Sequence, residues 1–127
     1  MGNASISSRL MDVTGDVFST RSEIDGDRVI VRLKGCLDME TAPELQRFLG
    51  MLTRLAQAGP LREVEFNTFD LYLMSSSSIS LLATWIKGLK GAKPVCRIKF
   101  KVNPNLSWQR RTLDTVRRVA ESIVSVE

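Results

Sequence analysis

An alternation of strand-like and helix-like segments limits the folds open to this chain more than any other feature. Two strand-like runs, at 17–23 and 28–33, flank the sequence Asp25-Gly26-Asp27, and Asp-Gly between such runs predicts a hairpin. Helical and strand-like periods then alternate to the end of the chain: a helix between Thr41 and Gly59, a strand at 61–66, a helix at 76–90, a strand at 95–102 and a helix from 107. Residues 122–126 fit either the end of that helix or a short strand. This order predicts an α/β domain with a mixed sheet.

One strand indicates how the sheet is covered. Apolar residues at 96, 98, 100 and 102 alternate with Arg97, Lys99 and Lys101. A strand covered on both faces would be apolar more continuously, so this pattern predicts that one face of the sheet is open to water.

The predicted helices each carry an apolar stripe. In the first helix the stripe consists of Leu45, Phe48, Leu49, Leu52, Leu55 and Ala56, and in the second it consists of Ile79, Leu82, Ala83, Ile86 and Leu89. Leu81 and Trp85 lie four residues apart on another flank of the second helix. Either neighbouring elements cover this pair, or the pair forms an exposed apolar patch for a partner.

Four consecutive serines, Ser75 to Ser78, stand where the second helix is predicted to begin. The first turn of a helix has unpaired N–H groups and a positive dipole end, so an oxygen-rich group is favoured there. Two interpretations are open at this point. One is an ordinary serine N-cap, and the other is a site at which a phosphate acts as a switch.

Two blocks of sequence carry a resemblance. Val29 to Ala42 is similar to a strand, a Gly-x-Leu-Asp loop and a Thr-Ala helix start, and Leu73 to Ile79 looks like a signature of the form apolar-Met-Asp-Ser-(Ser/Thr)-Gly-Leu. Both blocks, in this order, resemble STAS domains, the family of bacterial anti-sigma factor antagonists. Ser75 stands where that family has Asp, and Ser78 stands where it has Gly. The resemblance implies a STAS-like domain at 16–127, with helices packed mainly on one face of the sheet. Residues 1–15 are polar and contain Gly and Ser without periodicity, which predicts a flexible tail.

The resemblance also implies a function, which is partner switching controlled by reversible phosphorylation of a serine. The implied partners are a serine kinase that is itself an anti-sigma factor and a serine phosphatase, and a homodimer is left open. The phosphoacceptor position falls on Ser76, with Ser75, Ser77 and Ser78 as alternatives. The partner-binding residues expected from the resemblance and from the helix pattern are Asp38, Thr41, Met74, Ser77, Leu81 and Trp85. Asp38 has an alternative role, because Asp is favoured near helix starts for local capping.

Composition agrees with one small cytoplasmic domain. The chain has 127 residues, 43% of them apolar, and contains no run of about 18 apolar residues that could span a bilayer. It has no histidine, and its two cysteines, Cys36 and Cys96, are isolated, so we expect reduced thiols, no metal site and no cofactor. Nucleophile elbows and phosphate-binding glycine loops are missing as well, so no enzymatic activity is predicted.

Charge is distributed unevenly along the chain. The net charge is +4, and residues 87–118 hold ten basic side chains against one acid, Asp114. Such a region favours an acidic partner, an anionic membrane surface or nucleic acid, or it is simply a solvated face. Aromatic residues make up only 6% of the chain, which makes nucleic acid a distant alternative. The closer alternative is a scaffold subunit of a larger signalling complex that docks its partners without phosphorylation.

Overall fold

The computed structural model describes residues 12–59 and 61–127. Five strands form one sheet in the order β1-β2-β3-β4-β5. The strands are Phe18–Asp25 (β1), Arg28–Leu37 (β2), Glu63–Met74 (β3), Arg97–Lys101 (β4) and Val124–Val126 (β5), and the helices are Ala42–Gln57 (α1), Ser76–Leu89 (α2) and Ser107–Arg117 (α3). β1 is antiparallel to β2, and all other neighbouring strands are parallel. The predicted α/β domain with a mixed sheet is confirmed, and the chain ends in a strand.

The opening hairpin forms at the predicted turn. Asp25 pairs with Arg28 across a two-residue loop, and Gly26 at its first position has φ 64°. A type II′ turn requires a positive φ at this position, which glycine adopts without steric cost.

The helices lie on one face of the sheet. Each of them connects two parallel strands that are neighbours in the sheet, and right-handed connections in a sequential order place every helix on the same side. Alternate strand residues therefore face the helices and are buried, as Val31, Phe66 and Phe100 show with exposures of 0–1%. Phe66 stacks on Phe100 at a ring-centroid distance of 5.4 Å, in the centre of this core.

The other face of the sheet carries charged side chains, as the alternation in 95–102 predicted. Arg28 of β2 lies 3.9 Å from Glu63 and 3.6 Å from Glu65 of β3, and Lys99 of β4 lies 4.0 Å from Glu63 and 3.7 Å from Glu127. These pairs join three strands across the open face.

β3 is longer than predicted. The sequence indicated a strand at 61–66, but β3 continues to Met74 beside a β2 that is ten residues long. The pairing of β2 with β3 shifts at two places, and Gly35 in β2 has φ 102° where a Cβ atom would clash with the Val17 carbonyl. Such irregularities interrupt the alternation of side chains, so periodicity alone does not reveal the second half of the strand.

The predicted tail at 1–15 falls largely outside the described residues. Its last part, from Asp12, lies along β1: the Val13 carbonyl accepts a hydrogen bond from the Thr20 N–H at 3.0 Å, and Val13 is 3% exposed. The Asp12 carboxylate accepts hydrogen bonds from the N–H and the hydroxyl of Ser22 at 3.1 and 2.6 Å. Among the helices in the described parts of the chain, none combines the length and apolar character needed to cross a membrane.

Candidate functional site

The four serines lie where β3 ends and α2 begins. Ser75 is the N-cap of α2, with φ −71° and ψ 161°, and its Oγ accepts a hydrogen bond from the Ser78 N–H at 3.3 Å. Its own N–H donates to the Leu37 carbonyl at 2.7 Å, which ties the serines to the end of β2. The predicted helix start and serine cap are confirmed.

The four hydroxyls are in different environments. Ser78 is 0% exposed, and its hydroxyl lies 2.8 Å from the Ser75 carbonyl and 3.2 Å from the Leu37 carbonyl, either of which can accept its proton. A kinase would have to open the first turn of α2 to reach this alternative phosphoacceptor. Ser76 and Ser77 are exposed; the Ser77 hydroxyl lies 3.1 Å from that of Ser75, while the Ser76 hydroxyl has no hydrogen-bond partner among the described residues.

Ser76 is therefore the most available of the four hydroxyls. Its backbone N–H and that of Ser77 belong to the first turn of α2, where no intrahelical acceptor exists. A phosphate on the Ser76 hydroxyl would meet the positive end of the helix dipole and these unpaired donors.

Asp38 lies in the loop that leaves β2 beside the serines. Its Oδ1 accepts hydrogen bonds from the N–H groups of Glu40 and Thr41 at 2.9 and 3.0 Å and from the Thr41 hydroxyl at 3.1 Å. The Thr41 N–H, with its hydroxyl and the Glu40 N–H, holds the pKa of Asp38 below its usual range, against an opposing effect of desolvation. The local capping role suggested for Asp38 is thus present, and Oδ2 has no partner in the described structure.

The Thr41 side chain bonds to the loop that precedes α1 and not to the helix. It occupies the N-cap position of α1, but its side chain makes no capping hydrogen bond to that helix. Instead its Oγ1 accepts from the Asp38 N–H at 2.9 Å and faces the Cys36 carbonyl at 3.2 Å. In the first turn of α1 the Ala42 N–H already donates to the Asp38 carbonyl at 3.0 Å, the Glu44 N–H donates to the Thr41 carbonyl at 3.1 Å, and Pro43 has no N–H. The threonine hydroxyl therefore has no donor to cap, and it holds the loop. At 7% exposure, Thr41 offers little surface to a partner.

Two exposed apolar residues lie in the segments next to the serines. Met39, in the loop after β2, is 78% exposed, and Leu73, next to the predicted contact Met74, is 47% exposed. Met74 itself is half-buried against the core. The sequence pattern did not single out Met39 or Leu73, although an apolar residue between Asp38 and Glu40 in a turn was a usable signal. These side chains, with Ser76 and Ser77, give the loop an apolar border.

Leu81 and Trp85 are covered by neighbouring elements, which was one of the two interpretations. Both are half-buried against the core. The Trp85 Nε1–H donates to the Thr53 Oγ1 of α1 at 2.8 Å, and its ring meets that of Phe66 edge-on at 5.9 Å. The pair still lines one wall of a groove between α1 and α2 that begins at Ser77 and passes Gly50. The sequence indicated the pair but not the groove.

Comparisons with known proteins place this geometry in a known fold. No protein-family model matches the sequence, and no curated protein matches it. Among solved structures, the crystal structure of an anti-sigma factor antagonist from Mycobacterium paratuberculosis superposes with a TM-score of 0.63, at 18% identity, over 84% of this chain and 86% of that chain. The chain has the STAS fold.

Two further structures show the same STAS fold. The anti-sigma factor antagonist SpoIIAA in its unphosphorylated form has a TM-score of 0.56 at 16% identity, over 85% of this chain and 87% of that one. The Bacillus cell fate determinant SpoIIAA in its phosphorylated form has a TM-score of 0.58 at 16% identity, over 85% of this chain and 90% of that one. The fold expected from the two sequence blocks is confirmed, and the site residues remain predictions.

Within this STAS fold the serine loop can do limited chemistry. Among the described residues, no three His, Cys, Asp or Glu side chains are grouped so that they could hold a metal ion. The loop presents one unpaired hydroxyl, a helix N-terminus and an apolar border. This combination suits a surface that accepts a phosphate and binds a protein.

Proposed function

We propose that this chain is a bacterial, cytoplasmic regulatory domain of the anti-sigma factor antagonist type, which acts by partner switching. In the unmodified state the serine loop binds a serine kinase that is itself an anti-sigma factor. Phosphorylation of Ser76 breaks that complex, and a serine phosphatase restores it. A non-phosphorylated scaffold subunit is the alternative, and in that case the same loop docks a partner permanently.

The unpaired hydroxyl of Ser76 is the observation that carries the proposal. This hydroxyl is exposed at the first turn of α2 and makes no hydrogen bond to a described residue. A kinase can therefore modify it without breaking the fold. The phosphate adds about −1.5 to −2 charges at neutral pH, which the helix N-terminus tolerates and a partner docked on the loop does not.

The structural neighbours support the same function. The Mycobacterium paratuberculosis protein and SpoIIAA are anti-sigma factor antagonists, and SpoIIAA structures exist in an unphosphorylated and a phosphorylated form. That one fold accommodates both forms agrees with a switch that changes the surface of a domain and not its architecture.

The apolar border supplies the rest of the docking surface. We propose that Met39 and Leu73 contact the partner together with Ser77 and Met74, while Asp38 and Thr41 fix the loop that carries Met39. Asp38 retains one free carboxylate oxygen for a contact of its own. Leu81 and Trp85 contribute through the wall of the groove next to Ser77.

The test begins with intact-mass and phosphopeptide measurements on the protein purified from its own cells. We expect one phosphate, located on Ser76 and absent from the Ser76→Ala variant. Ser80→Ala, which removes an exposed hydroxyl one turn further along α2, is the matched control and should keep the phosphate. Because the Ser76 hydroxyl makes no hydrogen bond, Ser76→Ala should change the free energy of unfolding by less than about 0.5 kcal/mol.

Binding then separates the two candidate functions. With the kinase partner, Ser76→Asp should weaken the complex by about tenfold or more, whereas Ser76→Ala should bind as the unmodified protein does. The scaffold would be established in place of the switch by two results together. The native protein would carry no phosphate during growth and stress, and Ser76→Asp would change the affinity of the complex by about twofold or less.

A further inference from the structure

The open face of the sheet carries a cluster of cations, Arg21, Arg32, Lys34 and Lys101, which we call the cationic patch. Arg21 in β1 lies directly opposite Arg32 in β2. Arg32 pairs with Asn67 in β3, which in turn pairs with Lys101 in β4, so these residues form one row across four strands. Lys34 is two residues from Arg32 and therefore projects from the same face.

The cations of the patch are not engaged in ion pairs within the described structure. None of the four forms an ion pair with any acid among residues 12–59 and 61–127. Elsewhere on the same face, Arg28 pairs with three carboxylates and Lys99 with two. Like charges directly opposite each other on paired strands destabilise a sheet. The Arg21–Arg32 pair is such a case, and a bound anion would relieve it.

A depression of about 440 Å³ lies between the cations. Arg21, Arg32 and Lys34 line it together with Asn67, Asp70 and Phe69, whose side chain is 45% exposed. Phe69 lies in the irregular part of β3, where its N–H donates to the Asn67 Oδ1 at 3.0 Å and its carbonyl accepts from the Asn103 Nδ2 at 3.0 Å. The backbone of Phe69 is thus held at the edge of a depression that three cations and one carboxylate line.

We propose that the cationic patch is a second docking surface, for a short acidic polypeptide segment of a protein partner. Carboxylates of the segment pair with Arg21, Arg32 and Lys34, and an apolar side chain of the segment packs on Phe69. Arginine is suited to this role because its planar guanidinium binds a carboxylate with two parallel hydrogen bonds.

The charges around the patch favour a short peptide over nucleic acid. Glu23 and Glu65 lie in the adjacent row of the sheet, and Asp70 lines the depression itself. A nucleic-acid strand carries a charge on every nucleotide, so beyond the patch it would run onto these carboxylates, and Phe69 is the single aromatic ring lining the described depression. A peptide can end, or change its charge, where the patch ends.

The proposed surface is independent of the serine loop. The patch lies on the open face, whereas α2 and its serines lie on the helix-covered face, so a segment bound to the patch leaves Ser76 accessible. The partner-switching proposal can fail without affecting this one, and the reverse also holds.

The test uses a defined probe and the whole chain. A synthetic peptide of Asp and Glu residues with one central Leu is titrated into isotope-labelled protein, and amide shifts are followed by NMR. We expect shifts at Arg21, Arg32, Lys34 and Phe69, and binding that weakens as salt is raised, because exposed charges are screened. A uridine oligonucleotide of the same net charge is titrated in parallel.

Two charge-reversed variants separate the patch from overall charge. Arg21→Glu with Arg32→Glu should weaken peptide binding by about tenfold, whereas Arg47→Glu with Arg54→Glu, at exposed positions of α1, makes the same change in net charge and should leave binding within about twofold. Equal losses in the two variants, or no shifts at the patch, would overturn the proposal, and so would tighter binding of the oligonucleotide.

A stability measurement adds a further test, because a purely structural role of Arg32 predicts the opposite change in stability. Arg32→Thr removes the repulsion from Arg21 and introduces a residue favoured in strands, so the midpoint of denaturation should rise while peptide binding falls about threefold. A lower midpoint with unchanged binding would show that Arg32 serves only the fold.

Discussion

Gln109 in α3 is a fully buried polar residue on which the region before the serine loop depends. It is 0% exposed. Its Nε2 donates to the carbonyls of Thr68 and Leu71 at 2.6 and 2.8 Å, and its Oε1 accepts from the Asn103 N–H at 2.8 Å. The Thr68 hydroxyl lies 2.9 Å from Oε1 and also 2.9 Å from the Lys101 carbonyl, to which it can donate instead. One amide group thus supplies hydrogen-bond partners to the irregular part of β3 that leads to Ser75.

We expect Gln109→Met to destabilise the protein by about 3–5 kcal/mol. Methionine matches glutamine in length and helix propensity, so the change removes hydrogen bonds and little else. Two carbonyls and one N–H then lose their partner in a dry environment, at about 1–3 kcal/mol each, and burial of an apolar side chain with local relaxation offsets part of that sum. Against a typical total of about 5–15 kcal/mol, this is a large fraction of the stability.

Denaturant unfolding followed by tryptophan fluorescence and far-UV circular dichroism measures this change. The midpoint should fall while the m-value stays constant, which would indicate lost stability and not a changed denatured state. Gln46→Met, at an exposed position of α1, is the matched control and should stay within about 0.5 kcal/mol. A loss below about 1 kcal/mol for Gln109→Met would refute the reasoning, because it would mean that water or relaxation satisfies the three groups.

Three further predictions concern stability and reactivity. Gly88→Ala should raise the free energy of unfolding by about 0.5–1 kcal/mol, since the added methyl in α2 meets no atom within 4 Å. Gly35→Ala should lower the unfolding midpoint, because Gly35 has φ 102° and a Cβ atom there would clash. Thermal denaturation compares the two variants. The pKa of Asp38 is lowered in the folded state, so the stabilising effect of its carboxylate is present above the unfolded pKa of about 3.9 and is lost as pH falls through the lower folded pKa. Asp38→Asn should therefore flatten the acid limb of a stability–pH curve. An unchanged limb would show that Asp38 does not contribute to the acid dependence of stability. Cys36 is partly exposed, whereas Cys96 is buried and its burial raises the pKa of its thiol. A disulfide reagent should therefore modify Cys36 in the native protein and Cys96 only on unfolding. Equal rates of modification for the two thiols would contradict this prediction.

The sequence by itself determined the order of the elements and the class of the fold. Helical and strand periods, the Asp-Gly turn and the serine cap depend on interactions within a few residues, so they can be recognised locally. The hairpin at Gly26, the start of α2 at Ser76 and the open sheet face followed from such patterns. The identity of the serine loop as the candidate site also came from the sequence.

Only the tertiary structure decided which polar groups are buried and which apolar groups are exposed. Gln109 is buried because it meets the irregular part of β3, 38 and 41 residues away, and Ser78 is buried because the Leu37 carbonyl lies beside it. Thr41 stands at the N-cap of α1 but its hydroxyl holds the loop, since backbone carbonyls already accept the N–H groups of Ala42 and Glu44. The opposition of Arg21 and Arg32 likewise depends on strand register. These outcomes arise from contacts between residues that are distant in the chain, which local periodicity does not encode.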